Sequence, residues 1–158
     1  KVFSEQMVDL VQPMQVTQGE TITFDGETIV SIGKVSCYEE GMIVSDGMRV
    51  ISVEYVIEGP KASLLKYDTN IYLLTESGDY IKPISPHCLA DELGCDITKL
   101  NREGIKDELD EQGSKMIFLI NVSDTKAYLD IYYGYGYCSN TNNLKQIYEI
   151  PVTLPQGR

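Results

Sequence analysis

The residues best suited to contact a ligand lie in a tyrosine-rich stretch, YYGYGYCSNTNN, at positions 132–143. The chain has 11 Tyr against 3 Phe and no Trp, and tyrosine combines an apolar ring with a hydroxyl that can hydrogen-bond to a sugar or a peptide. We therefore identify three candidate ligand-binding residues, Tyr132, Tyr135 and Tyr137. The alternative is ordinary sheet structure, because tyrosine also favours half-exposed strands.

Alternate residues of a strand point to opposite faces, which divides this part of the chain into two sets. One face carries Leu129, Ile131, Tyr133, Tyr135 and Tyr137. Because this face begins with Leu and Ile, we expect at least Tyr133 to lie in the core. Asp130 and Tyr132 lie on the opposite face, where Gly134 and Gly136 leave a bare stripe.

Four cysteines could form two disulfides, namely Cys37, Cys88, Cys95 and Cys138. The absence of a Cys-x-x-Cys pair argues against a zinc ribbon or a thioredoxin-type redox site. Cys88 with Cys95 and Cys37 with Cys138 are the pairs we favour, although four cysteines allow three connectivities. The alternative is four reduced thiols, as is usual in cytosolic proteins.

Carboxylates are concentrated in the segment KDELDEQG, at positions 106–113. Their spacing does not match a calcium-binding loop, so a solvated helix end is the better interpretation. A hydrolase that uses these carboxylates is the alternative. No combination of nucleophile, base and orienting residue is recognisable, so we expect no enzyme, no catalytic residue and no metal site.

Composition excludes several classes of protein. The net charge is −11, from 13 basic and 24 acidic residues, which disfavours binding to nucleic acid. The sequence contains no run of 18 apolar residues, so it predicts no transmembrane segment. A chain of 158 residues can bury roughly two thirds of its unfolded surface, so we expect it to fold without a cofactor. The chain begins with KVFSEQ, which suggests a trimmed product.

Most of the chain has the alternating pattern of strands. RVISVEYVI at positions 49–57 and KMIFLINV at 115–122 each place apolar residues on one face. The segment at 27–38 predicts a long strand that is bent or bulged at Gly33. Seven to nine strands are expected in all, within one all-β domain at positions 19–158 that follows an N-terminal segment at 1–18.

Positions 85–112 predict a helical insertion. Ser85 can cap a first helix with Pro86 at its first position. Asp96 can cap a second helix that would continue to Gln112, although Gly104 weakens it. We expect the insertion to pack over one end of the sheets.

The strand pattern resembles a family of uncharacterised bacterial cell-envelope proteins. The resemblance rests on four segments, GETITFDGETIVSIGKV, MRVISVEYVIEG, NIYLLTESGDYIKPI and EQGSKMIFLINVSDTKAYLDIYYG. It covers roughly positions 19–152 and departs from the family at the helical insertion, where a short loop is usual.

This resemblance implies an immunoglobulin-like β-sandwich, often placed behind a lipoprotein signal and a flexible linker. It implies an extracellular or cell-surface location, a possible lipid anchor upstream, and a binding or scaffolding role toward a protein or a cell-wall polymer. A subunit of an envelope assembly, joined through an exposed strand edge, is a further possibility.

Overall fold

The computed structural model describes residues 11–24, 26–38, 41–60, 62, 65, 69–110, 113–134 and 144–156. Ten strands and two helices have their bounds within these residues. The strands are β1 (Pro13–Gln15), β2 (Thr21–Phe24), β3 (Thr28–Cys37), β4 (Met48–Glu58), β5 (Thr69–Thr75), β6 (Tyr80–Ile81), β7 (Ile105–Lys106), β8 (Ser114–Asn121), β9 (Lys126–Tyr133) and β10 (Gln146–Thr153). The helices are α1 (Pro86–Leu93) and α2 (Ile97–Arg102).

The strands form two five-stranded sheets. Sheet I has the order β1-β10-β9-β5-β6, and sheet II has the order β2-β3-β4-β8-β7. Pairing is antiparallel except between β1 and β10 and between β7 and β8. The all-β prediction is confirmed. The described strands number ten rather than seven to nine, because β1 and β7 are too short to give an alternating pattern.

One core cluster receives side chains from both sheets. Its members include Ile51, Val53, Tyr55 and Ile57 of β4, Met116, Phe118 and Ile120 of β8, and Leu129, Ile131 and Tyr133 of β9. These are the faces that the alternating pattern predicts, and Tyr133 lies in the core as expected. The register of β3 on β4 shifts between Ile32 and Val35, which confirms the irregularity predicted at Gly33.

The helical region covers the outer face of sheet II rather than one end of the sheets. Leu89 and Leu93 of α1 and Leu100 of α2 pack against Val50 and Ile117, in a second core cluster. The position predicted for the insertion was therefore wrong, because apolar side chains on the outer face of the central strands require a cover of their own.

Both predicted helix caps are present. Ser85 Oγ accepts a hydrogen bond from Cys88 N, and Asp96 Oδ1 accepts one from Thr98 N. The predicted extension of the second helix to Gln112 is wrong, because α2 ends at Arg102. Gly104 has φ +69°, and a Cβ there would lie 2.7 Å from Ser114 Oγ. The chain turns at this glycine and continues as β7.

The N-terminal part of the described chain belongs to the sheets. Strand β1 pairs with β10, and Val16 lies in the main core. Residues 13–16 therefore pack with the sheets. Neither of the two described helices has the length and apolar composition that crossing a membrane requires.

Candidate ligand-binding site

Sheet I has an outer face whose side chains alternate with those of the core. The register of the strands aligns four of these side chains across the sheet, since Pro151 pairs with Tyr128, Tyr128 with Leu74, and Leu74 with Tyr80. We call Pro151, Tyr128, Leu74 and Tyr80 the tyrosine row. Tyr128 is 42% exposed and Tyr80 is 38% exposed, so this row presents aromatic rings to solvent.

A groove of about 590 Å³ is lined by three members of the tyrosine row, Pro151, Tyr128 and Leu74. Its volume lies in the range of small-ligand sites. The lining residues come from β5, β9, β10, the turn after β5 and the segment after β1: Gln18, Leu74, Thr75, Glu76, Gly78, Lys126, Ala127, Tyr128, Pro151, Val152 and Thr153. The groove thus places an exposed ring and apolar side chains beside an ammonium, an amide and hydroxyls.

Glu76 fixes one end of the groove. Its Oε1 accepts hydrogen bonds from Thr125 N at 2.5 Å, Thr125 Oγ1 at 2.9 Å and Lys126 N at 2.9 Å. These bonds lower the pKa of Glu76, chiefly through the Thr125 backbone N–H. They join the turn after β5 to the start of β9, so Lys126 and Tyr128 keep a fixed position relative to Leu74.

Gln18 forms the other side of the groove. Its Nε2 donates to the carbonyl of Gly33 at 2.6 Å, next to the irregularity of β3. The side chain of Gln18 is therefore held by sheet II while it faces a groove of sheet I. The arrangement can bind a ligand that offers an apolar face to Tyr128 and polar groups to the rim.

A second row crosses the same face one step along the strands. Glu149 of β10 stands opposite Asp130 of β9, which stands opposite Tyr72 of β5. Asp130 is only 2% exposed, and its carboxyl is hydrogen-bonded to that of Glu149. Burial raises the pKa of Asp130 to about 8, with the charge of Glu149 and their hydrogen bond acting in the same direction.

Of the three tyrosines predicted to bind a ligand, Tyr132 lies within the described residues, and it is not on an open surface. Tyr132 is 2% exposed and packs edge-to-face on Tyr72, at 5.3 Å between ring centroids. Burial raises the pKa of its hydroxyl. Leu144 and Ile147 belong to the same cluster, so Tyr132 supports the outer face rather than contacting solvent. Tyr135 and Tyr137 lie outside the described residues.

Sequence reasoning missed Tyr128 and Tyr80. The alternation that separates Asp130 and Tyr132 from the core also places Tyr128 with them, and this signal was available. Tyr80 follows the β5–β6 turn, where no alternating run exists to assign its face. Glu149 and Asp130 were missed as a pair because their contact depends on the register of β9 on β10.

Three of the four cysteines lie within the described residues. Cys37, Cys88 and Cys95 are free thiols, and Cys37 ends β3 in an exposed position. Helix α1 runs from before Cys88 to Leu93, with Gly94 as its C-cap, so a Cys88–Cys95 bond would require the helix to open. Cys138 lies outside the described residues, and Cys37, its predicted partner, is a free thiol, so neither predicted disulfide is present.

The carboxylates near the helices face a smaller cleft of about 190 Å³, lined in part by Asp107, Glu108 and Lys82. Asp110 is paired with Lys106, at 3.5 Å between Oδ2 and Nζ. Within the described ranges, no three His, Cys, Asp or Glu side chains come together as a possible metal site.

Comparison with known proteins does not identify a family for this chain. No family model matches the chain, and no curated protein matches it. The chain is similar to a conserved hypothetical protein from Bacillus anthracis, known from a 2.2 Å crystal structure. The two share 15% sequence identity, and the likeness covers 82% of this chain and 92% of that chain with a TM-score of 0.45. A likeness of this size carries no inference about function.

Proposed function

We propose that the protein is a non-enzymatic binding module of the bacterial cell envelope and that a cell-wall polymer lies in the groove along the tyrosine row. The observation that carries the proposal is the exposure of Tyr128 within a groove of about 590 Å³. An extended polymer needs a site that is open at its ends, and the outer face of a sheet offers one.

The chemistry of the groove suits a polysaccharide. A sugar ring has an apolar face that stacks on an aromatic ring and a hydroxyl edge that needs hydrogen-bond partners. Tyr128, Leu74 and Pro151 provide the first surface. Lys126, Thr153 and Gln18 provide side chains of the second kind at the rim.

The immunoglobulin-like fold is part of the proposal, and the strand order supports it. In that fold, strands A-B-E-D form one sheet, and C-F-G form the other. The order β3-β4-β8-β7 corresponds to A-B-E-D, and the order β5-β9-β10 corresponds to C-F-G. The parallel pairing of β7 with β8 departs from the purely antiparallel sandwich.

The envelope location rests on the sequence resemblance to cell-envelope proteins. Fractionation of cells that express the protein from its natural gene tests it. Recovery with the membrane or the wall is expected, and recovery only in the cytoplasm would contradict the location.

Binding is tested by co-sedimentation of the protein with purified peptidoglycan sacculi and with walls that retain their anionic polymers. Replacement of Tyr128 by Ala should weaken binding about tenfold or more, as for a central aromatic contact worth about 1.4 kcal/mol or more. Ile43→Ala is the matched control, since Ile43 is 78% exposed and does not line the groove. If the wild-type protein binds neither preparation, the polymer proposal is refuted. If Tyr128→Ala binds as strongly as wild type, the proposed site is refuted.

A further inference from the structure

A line of side-chain hydrogen bonds crosses three strands of sheet I beside the groove. Gln15 of β1 stands opposite Glu149 of β10, and Gln15 Nε2 donates to Glu149 Oε1 at 2.6 Å. The carboxyl of Glu149 is in turn hydrogen-bonded to that of Asp130 on β9. Two carboxyl groups can share such a bond only if one of them carries a proton.

The two carboxyls differ in their freedom to move. Asp130 is 2% exposed, and its Oδ1 has no hydrogen-bond partner. Glu149 is half-buried and lies on the strand next to the edge of the sheet. If both groups became charged, Glu149 could turn toward water, whereas Asp130 could not.

Strand β1 lies at the edge of sheet I, and Val16, which follows it, packs in the main core. The strand has three residues, all exposed, and Met14 is 51% exposed. Besides the strand pairing, Val16 N donates to Glu149 O at 2.9 Å, and Gln146 Nε2 donates to Gln12 O at 3.1 Å. The bond from Gln15 to Glu149 adds to these contacts and links β1 directly to the Glu149 carboxyl.

We propose that Gln15, Glu149 and Asp130 form a proton-dependent latch that controls the docking of β1 on sheet I. With one proton shared between the carboxyls, Glu149 stays over the sheet and accepts the amide of Gln15. When that proton is lost, the two carboxylates repel each other. Glu149 then swings to solvent, releases Gln15, and β1 opens more often.

Other titratable groups that face the pair come from each neighbouring strand of sheet I. Tyr72 of β5 follows Asp130 in the row, and Tyr128 and Tyr132 flank it on β9. On the β6 side, Lys82 Nζ lies 5.7 Å from the ring centroid of Tyr72. Among the described residues, neither carboxyl has a cation as an ion-pair partner, so the proton is what balances the charge of the pair.

The direction of the pH effect follows from the raised pKa of Asp130 in the docked state. The docked state holds the proton more tightly than an open state with an ordinary carboxyl. The opening constant of β1 therefore rises with pH, by at most about tenfold per pH unit. The rise begins near the ordinary carboxyl value and levels off above the raised pKa.

Amide hydrogen exchange of Val16 tests the latch on the complete chain, because the Val16 N–H donates to Glu149 O only when β1 is docked. After correction for intrinsic exchange, its protection should fall more than tenfold from pH 5 to pH 8. Leu154 N–H donates to Thr125 O at 2.9 Å in the same part of the fold and serves as the control. The latch opens β1 without unfolding the sheet, so Val16 should be less protected than Leu154 at high pH. A pH-independent protection of Val16, or a protection of Val16 equal to that of Leu154 at every pH, would overturn the proposal.

Two variants separate the latch from a general change in stability. Asp130→Asn cannot lose a proton and should make the protection of Val16 independent of pH. Gln15→Ala removes only an exposed side chain, so the fold should be retained, and Val16 should be weakly protected at every pH. A wild-type pH profile in Gln15→Ala would refute the latch even if Asp130→Asn failed to fold.

Discussion

Asp130 should make the whole protein less stable as the pH rises. Its pKa in the folded chain is about 8, against an ordinary value of 3.8. Below the ordinary value, the folded and unfolded chains are both protonated and the stability does not depend on this group. Between the two values, the unfolded chain has lost the proton and the folded chain still holds it, so the free energy of unfolding falls as the pH increases. Above about pH 8 the effect is complete.

The magnitude follows from the two pKa values. Each factor of ten in proton affinity corresponds to about 1.36 kcal/mol, so a difference of about four pH units corresponds to roughly 5 kcal/mol. Replacement of Asp130 by Asn keeps the shape of the protonated carboxyl and can still donate to Glu149. The variant should therefore be more stable than wild type by up to roughly 5 kcal/mol at pH 8.5. For a chain of this size, that corresponds to a rise in Tm of about 10–20 °C at most.

Thermal and urea unfolding of wild type and Asp130→Asn, measured from pH 4 to pH 9, check this prediction. The two proteins should have nearly the same stability at pH 4 and diverge steadily up to pH 8. Asp91→Asn is the matched control, since Asp91 is exposed on α1. A difference between Asp130→Asn and wild type that stays constant with pH, or a loss of stability at pH 8.5, would refute the reasoning.

Two further predictions concern backbone geometry and the thiols. At Gly113, with φ +74°, an added Cβ would overlap Tyr55 O and lie 2.6 Å from Val56 Cα, so Gly113→Ala should lower the free energy of unfolding by about 3 kcal/mol or more. Gly78 also has a positive φ, +88°, but a Cβ added there would meet nothing within 4 Å. Gly78→Ala should therefore lower the free energy of unfolding by only about 1 kcal/mol. Urea unfolding of both variants compares them, and similar losses would count against the packing around Gly113. Cys88 and Cys95 are both free thiols, and most of helix α1 and its Gly94 C-cap lie between them in the chain. Alkylation of the folded protein without reductant should therefore modify both Cys88 and Cys95, whereas a peptide map with these two linked would contradict the helix.

The inner faces of the strands could be predicted because they depend on a local period of two. Val53, Phe118 and Leu129 are assigned to the core from their immediate neighbours alone, and the structure places them there. The helix caps at Ser85 and Asp96 were likewise readable, since a cap is a contact over two or three residues. Gly104 was recognised as a weakness in the second helix, but its left-handed backbone just after the helix end was not predicted.

The outer face of sheet I could not be predicted in the same way. Tyr128 and Tyr132 have the same orientation on β9, yet one is 42% exposed and the other 2%. The difference comes from what packs above each ring, and Leu144 and Ile147, which share a cluster with Tyr132, are distant in sequence. The contact between Asp130 and Glu149 similarly depends on strand register, which local patterns do not determine.

The central claim is that the groove along the tyrosine row binds a wall polymer. The most direct test is to add soluble peptidoglycan fragments to isotopically labelled protein and to follow the backbone NMR signals of each strand. The largest shifts should fall on Lys126, Tyr128, Leu74 and Val152, with little change in α1 and α2. No shift at millimolar fragment concentration, or shifts confined to sheet II and its helices, would contradict the account.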